Sequence, residues 1–379
     1  MKKTIIVLFT LIMVISFVFM GTGCKAAGTA ETTAAAAAET TAAAAETTAA
    51  DFAESGTGDK GTIALLYSTI DIPVVVVQRE MNEKIAAEHG YKTIFIEAGW
   101  DAAKQADQFQ NAINQDVKGI LTLVVDAKAI IPSLQAAKAA GIPVVTEDSG
   151  AYETEEARGL VASHVTSDNY RAGELCGEYI AWRLGGKGKI AEIGWKAVEG
   201  AYARQNGLHN VLKAFPEIEF VAYGEAVSVP DGLTVMQNII QSQPDLDAVY
   251  AVNDPGALGA YQAIKAAGKL DDIFISTNDG DPEALKLMSE GKGQTYAFDM
   301  CQWPQLLGTI GMENLIAIIE GRTDDIQQNE EIIGRDPYWP VMKICPFPVS
   351  YENLDKWPGW DATVTLNDAA PVPPYWTVK

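Results

Sequence analysis

Positive charge is scarce in this 379-residue chain: 28 Lys and Arg stand against 50 Asp and Glu, for a formal charge of −22. A nucleic-acid duplex or an anionic membrane face repels such a surface, and no Lys/Arg cluster offsets the balance, which excludes nucleic-acid binding. Cysteine and histidine are scarce as well. Four cysteines are too few for a disulfide scaffold, and the three histidines, His89, His164 and His209, lie far apart. No HExxH, CxxC or paired Cys/His spacing occurs, so no metal site is expected. A nucleophile–base pair is also missing, so no catalytic residue and no cofactor are assigned.

What is present begins with Lys2, Lys3 and an apolar run over residues 4–20 that ends in Gly21-Thr22-Gly23-Cys24. The run is marginal for about 30 Å of hydrocarbon. A short basic start, a short apolar stretch and small residues before a cut site make residues 1–23 a secretory signal. Small residues directly before a cysteine resemble a bacterial lipobox, with Gly21 where a Leu is usual. That resemblance implies that the Cys24 thiol takes a diacylglyceryl group and becomes the mature N-terminus. The expected location is the extracytoplasmic face of the cell membrane, held by acyl chains that contribute about 0.8 kcal/mol per buried methylene.

Residues 24–60 repeat ETTAAAA with almost no large apolar side chain, too little to offset the cost of ordering. This stretch reads as a tether, spanning roughly 30 Å as a coil. Gly56-Thr57-Gly58-Asp59-Lys60-Gly61 matches G-x-G-x-x-G, but the dinucleotide fingerprint needs its glycines between a strand and a helix. Here they precede the first strand, which makes the motif a false positive and disfavours a dehydrogenase reading.

From residue 62 the pattern alternates. Strand-length apolar runs (62–68, 91–98, 119–125, 142–145, 189–194, 219–223, 248–252, 273–276, 294–298) are separated by helical patterns. Near-continuous apolar strands between amphipathic helices indicate parallel sheets covered on both faces. The strands outnumber those one sheet commonly holds, so two α/β lobes are expected. Ligands of such sheets bind beyond the carboxyl ends of the strands. Those ends carry Ser68, Trp100, Asp126, Asp148, Trp195, Asn253-Asp254 and Asn278-Asp279.

TIALLYSTIDIP, a DS after the fourth strand, TSDN, an Ala-Arg helix start, GLTVMQNII, AVYAVNDPGALGAYQAIKAAG, STNDGDPEAL and CQWPQLLG follow in this order between residues 62 and 321. That succession resembles the sugar-binding proteins of bacterial ABC importers, closest to the ribose-binding group of the type I periplasmic-binding fold. The resemblance implies two doubly wound parallel-sheet lobes joined by a three-crossing hinge. The first lobe would hold 61–167 plus 303–333 and the second 168–302 plus 334–345, with 346–379 as a Pro- and aromatic-rich extension. It implies no enzyme, but a monomeric receptor that passes a sugar or related hydroxylated molecule to an ABC permease. A sensory receptor presenting its ligand to a membrane kinase or chemoreceptor is the alternative.

Position by position, the resemblance makes Arg204 the arginine whose fork holds sugar hydroxyls. Asp148 and Asp279 become the hydroxyl-accepting carboxylates, Asn253 an amide that donates and accepts, and Gln302 the hinge glutamine, with Ser68 and Ser167 also matching. Local readings compete: Asp148 or Asp279 building a turn, Arg204 pairing with Glu199, Asn253 capping the next helix. The chain departs from the group at Val74 and Val75, where two phenylalanines are usual, at Val124 for an asparagine and at Ser149 for an arginine. Ribose itself is therefore a doubtful ligand, and Trp100, Trp195, Tyr202 or Tyr170, at or just after strand ends, are candidates for the missing aromatic face, with core or rim packing the competing reading. Of the remaining cysteines, an oxidising compartment permits Cys301–Cys345, and Cys176 reads as a buried thiol.

Overall fold

The computed structural model describes residues 53–56, 58–151, 156–157, 159–331, 340–360, 362–366 and 368–369. The expected signal, Cys24 and most of the tether lie outside them. Among the described residues no helix is long and apolar enough to cross a membrane.

Short apolar runs form strands because both of their faces are covered. TIALLY makes β2 (Thr62–Tyr67), buried from Ile63 onward. The next run makes α1 (Pro73–Glu88), which starts on a proline whose missing N–H no helical bond needs. Six parallel strands build the first sheet, in the order β3 (Lys92–Glu97), β2, β4 (Gly119–Thr122), β5 (Val144–Glu147), β6 (Ser163–Ser167) and β13 (Pro340–Ile344). Antiparallel edges are added by β1 (Ala53–Ser55) and β12 (Glu330–Glu331). Around this sheet lie α1, α2 (Ala102–Asn114), α3 (Ile131–Ala139) and α9 (Pro304–Ile319), the last packed on α1, β4, β5 and β6.

The second sheet runs β14 (Phe347–Ser350), β11 (Tyr296–Cys301), β10 (Phe274–Asp279), β9 (Ala248–Ala251), β7 (Lys187–Gly194) and β8 (Glu217–Glu225). All are parallel except β14. Its helices are α4 (Asn169–Leu184), α5 (Glu199–Leu212), α6 (Val229–Ser242), α7 (Asp254–Ala266) and α8 (Pro282–Glu290). The chain thus adopts the two-lobe, doubly wound α/β architecture. It passes between the sheets three times, after β6, after β11 and between β13 and β14.

Three boundaries differ from the sequence reading. Residues 340–344, expected in the second lobe, pair with β6 from Val341–His164 to Ile344–Ser167, so the third crossing is Cys345-Pro346. An apolar VMKI run satisfies its backbone at the open edge of the first sheet. Beyond it, Phe347–Ser350 is a sheet strand rather than a laid-over extension, pairing with β11. At the other end, Ala53–Ser55 lies inside the expected tether yet pairs with β3, and the hydroxyls of Ser55 and Thr93 stand 2.6 Å apart.

The polar strand β6 escapes an apolar search. Its His164 Nδ1 lies 2.7 Å from Thr146 Oγ1, and burial lowers the imidazole pKa to about 3. The Cys301–Cys345 pairing is not made: Cys176, Cys301 and Cys345 are free thiols. Cys176 is buried, and burial raises its pKa to about 12.

Candidate functional site

Between the lobes lies about 590 Å³ of space not filled by protein, part of it open to solvent, lined from the first lobe by Ser68, Trp100 and Asp148 and from the second by Trp195, Arg204, Asn253 and Asp279. Gln302, at the second crossing, completes the wall. These residues meet because parallel strands end on one side of each sheet, and both sets of ends face the cleft.

Arg204 is placed by helix packing. A Cβ at Gly173 in α4 would lie 1.8 Å from the carbonyl oxygen of Arg204 in α5, so only a glycine lets the two helices approach this closely. That approach sets Arg204 beside Asn169, whose Oδ1 accepts from Nε at 2.8 Å. Arg204 Nη1 donates to the Val252 carbonyl at 2.6 Å and to Asp279 Oδ1 at 3.0 Å. Its two Nη2 hydrogens remain for a ligand.

Asp279 is held on several sides. Gln302 Nε2 donates to Oδ1 at 2.7 Å, and the Gln302 main-chain N–H donates to the Asp279 carbonyl at 2.9 Å. Ser167 Oγ donates to Gln302 Oε1 at 2.7 Å. Ser167 therefore lies behind the cavity wall; it links the first crossing to the second, and the other eight expected residues line the cavity. Beneath the turn, Asp254 accepts from the Asp281 N–H at 2.7 Å and from the Tyr296 hydroxyl at 2.6 Å. Asp299 accepts from the Gly280 N–H at 3.1 Å.

Backbone strain concentrates here. Trp100 (φ 62°), Asp148 (φ 53°) and Asp279 (φ 125°) are non-glycine residues in the positive-φ region and all line the cavity. Each such conformation costs roughly 1–3 kcal/mol and persists only where its surroundings over-determine it.

The electrostatics follow from burial. Burial raises the Asp279 carboxyl to about 6, although the Arg204 guanidinium and the Gln302 amide pull it down. Burial also raises Asp148, opposed by Arg204 alone. Under the turn, burial with repulsion from its neighbouring carboxylates keeps Asp299 protonated up to about 8, and Asp254 is raised well above its usual range for the same reasons. Among the described residues no group of His, Cys, Asp or Glu side chains is arranged to hold a metal ion.

One local reading also finds support. Asn253 caps α7, with Oδ1 accepting from the Gly256 N–H at 3.1 Å, while Nδ2 donates to the Val227 carbonyl at 3.2 Å. One of its amide hydrogens is left for the cavity. The aromatic candidates divide: Trp100 and Trp195 line the space, whereas Tyr170 and Tyr202 are exposed on the second lobe.

Some lining residues were not read from the sequence. Leu123 faces the cavity, whereas Val124 packs in the first-lobe core, so the usual asparagine position is off by one residue. Val198, Gly200 and Ala201, at the start of α5, also line it. Small residues just before Arg204 were the available signal. Val74, Val75 and Ser149, noted as departures, are on the wall.

Residues 63–323 match the periplasmic binding protein domain family. The ribose import binding protein of Bacillus subtilis is 35% identical over 274 residues, covering 71% of this chain and 85% of that protein. A solute-binding protein from Actinobacillus succinogenes, solved with D-allose, superposes with a TM-score of 0.69 at 25% identity, covering 79% of this chain and 100% of the other. One from Bacillus halodurans, solved with myo-inositol, gives 0.68 at 26% identity, covering 79% and 98%. With this match over most of its folded body, the chain belongs to the periplasmic binding protein domain family.

Proposed function

We propose that this protein is the extracytoplasmic solute-binding component of an ABC importer, taking a sugar or polyol into the interlobe cleft and delivering it to the permease. The carrying observation is the buried Arg204–Asp279–Gln302 network at the hinge, with Asp148 on the opposite lobe. Guanidinium, carboxylate and amide groups in fixed geometry replace the water around ligand hydroxyls, and charged partners are worth about 1.5–3 kcal/mol each. Lobe closure about the three crossings completes the enclosure. The named relatives are an import protein and sugar- or polyol-bound receptors, which favours import over the sensory alternative.

Anchoring through a lipid on Cys24, which lies outside the described residues, and action as a monomer belong to the same proposal. Palmitate labelling lost in Cys24→Ala supports the anchor; unchanged labelling removes it. Melting-temperature shifts against pentoses, hexoses, polyols and inositols test the cargo class. Ligand at 100 times its Kd adds about 2.7 kcal/mol of stability. A response confined to amino acids would reject the proposal.

A further inference from the structure

We infer that the cleft takes a two-ring ligand, a sugar ring in the inner cavity joined to a second ring in an outer chamber bordered by Trp100 and Trp195. The inference rests on the sugar-or-polyol reading and adds a second subsite to it. The outer chamber, about 1150 Å³ of space that is partly open solvent, shares Ile72, Trp100, Trp195 and Val227 with the inner cavity. The two spaces are thus neighbours, with these four side chains standing at their common border, and a ligand that fills both must pass between them.

The chamber is built for a neutral ring with an apolar face. Pro73, Pro230 and Pro255, each in the first turn of a helix, combine with Leu258 to give it stiff apolar sides. The tryptophans provide broad faces on which the C–H face of a sugar or the plane of a nucleobase can stack. The backbones of both are fixed: the Trp100 N–H donates to the Ser68 carbonyl at 2.9 Å, and the Trp195 N–H donates to Gln205 Oε1 at 3.1 Å. The Trp195 indole nitrogen is shielded from solvent with no hydrogen-bond partner among the described residues, a donor that a ligand oxygen or ring nitrogen satisfies.

Three of the four carboxylates that line the chamber are already engaged at helix N-termini. Asp281 caps α8 by accepting from the Glu283 N–H at 2.8 Å, and Glu283 lies in that helix's first turn. Asp231, in the first turn of α6, accepts from Ser228 Oγ at 2.6 Å. Negative charge at a helix N-terminus is balanced by the macrodipole, which accounts for these three groups, and the fourth carboxylate of the lining, Asp71, is exposed to solvent just ahead of α1.

Calorimetric titration of the purified protein tests the inference. Each one-ring probe is paired with a two-ring compound that contains it: D-ribose with uridine, D-glucose with cellobiose, D-galactose with lactose. At least one two-ring compound is expected to bind tenfold or more tightly than its parent. Pro230→Trp, an exposed position on the outer chamber alone, is expected to abolish that gain and leave the parent's Kd unchanged. If a free sugar binds and its two-ring partner binds no more tightly, the second subsite is wrong and the receptor reading stands. A gain that survives Pro230→Trp places the second ring elsewhere and overturns the chamber. If neither these probes nor a panel of other free sugars and polyols bind, the sugar reading and this inference fall together.

Discussion

The indole N–H of Trp360 donates to the main-chain carbonyl of Asp279 across 3.3 Å. This ties the C-terminal segment to one of the three positive-φ residues of the cleft. Nearby, Trp357 packs on Trp303 and Phe347, with centroids at 4.5 and 5.6 Å, and Trp303 Nε1 donates to the Cys345 carbonyl at 3.1 Å. The segment thus holds the second and third crossings together and supports the Asp279 turn.

Trp360→Phe removes the donor and keeps most of the ring. The expected result is a stability loss of about 1 kcal/mol. Ligand affinity should fall about three- to tenfold, a loss that follows from a looser Asp279. Thermal melting and titration calorimetry measure the two effects separately.

Arg204→Ala breaks an ion pair whose side chains are only 8% and 4% exposed. Removing one partner of a buried pair costs about 3–5 kcal/mol, so melting should fall visibly. Asp279→Asn in the same background should recover part of that loss. Ligand affinity should drop at least about a hundredfold in both, because the guanidinium donors are gone.

Affinity should depend on acidity through Asp279. Its carboxyl titrates near 6 in the free protein, and ligand hydroxyls need the ionised oxygen as acceptor. A bound ligand therefore competes with the proton. Affinity is expected to be flat above pH 7 and to weaken as pH falls through 6, by up to about tenfold per unit for one proton. Titrations from pH 5 to 8 measure the slope.

Stability should run the other way. Asp299 keeps its proton to about 8 in the folded protein, while an unfolded aspartate releases it near 4. The native state therefore holds more protons between those values, and stability falls as pH rises from 4 to 8. Asp279 adds the same sign between 4 and 6. Asp299→Asn, which keeps an acceptor for the Gly280 N–H, should flatten the decline between pH 6 and 8 in melting scans.

Much of this architecture is legible in the sequence because burial writes itself as pattern. The TIALLY run had to be an inner strand, and the polar residues that end such runs, Asp148, Asn253 and Asp279, had to face whatever lies beyond the sheet. Other features depend on partners distant in the chain. β6 carries Ser163, His164 and Thr166, and is buried because Thr146 and Asn314 satisfy two of them. Ser167 looked like a cleft residue, but its hydroxyl is committed to Gln302. Which of Leu123 and Val124 faces the ligand depends on how the chain turns beyond β4, and alternation alone cannot place it. The C-terminal strands have ordinary apolar runs, yet their sheets are chosen by which edges remain open.

Titration calorimetry of the purified protein at pH 7.5 with D-ribose, D-allose, xylitol and myo-inositol tests the central claim most directly. Saturable one-to-one binding to at least one of them, lost in Arg204→Ala, is the predicted result. Binding with undiminished affinity in that variant, or no heat from any of the four while an unrelated class such as amino acids saturates the protein, would contradict the account.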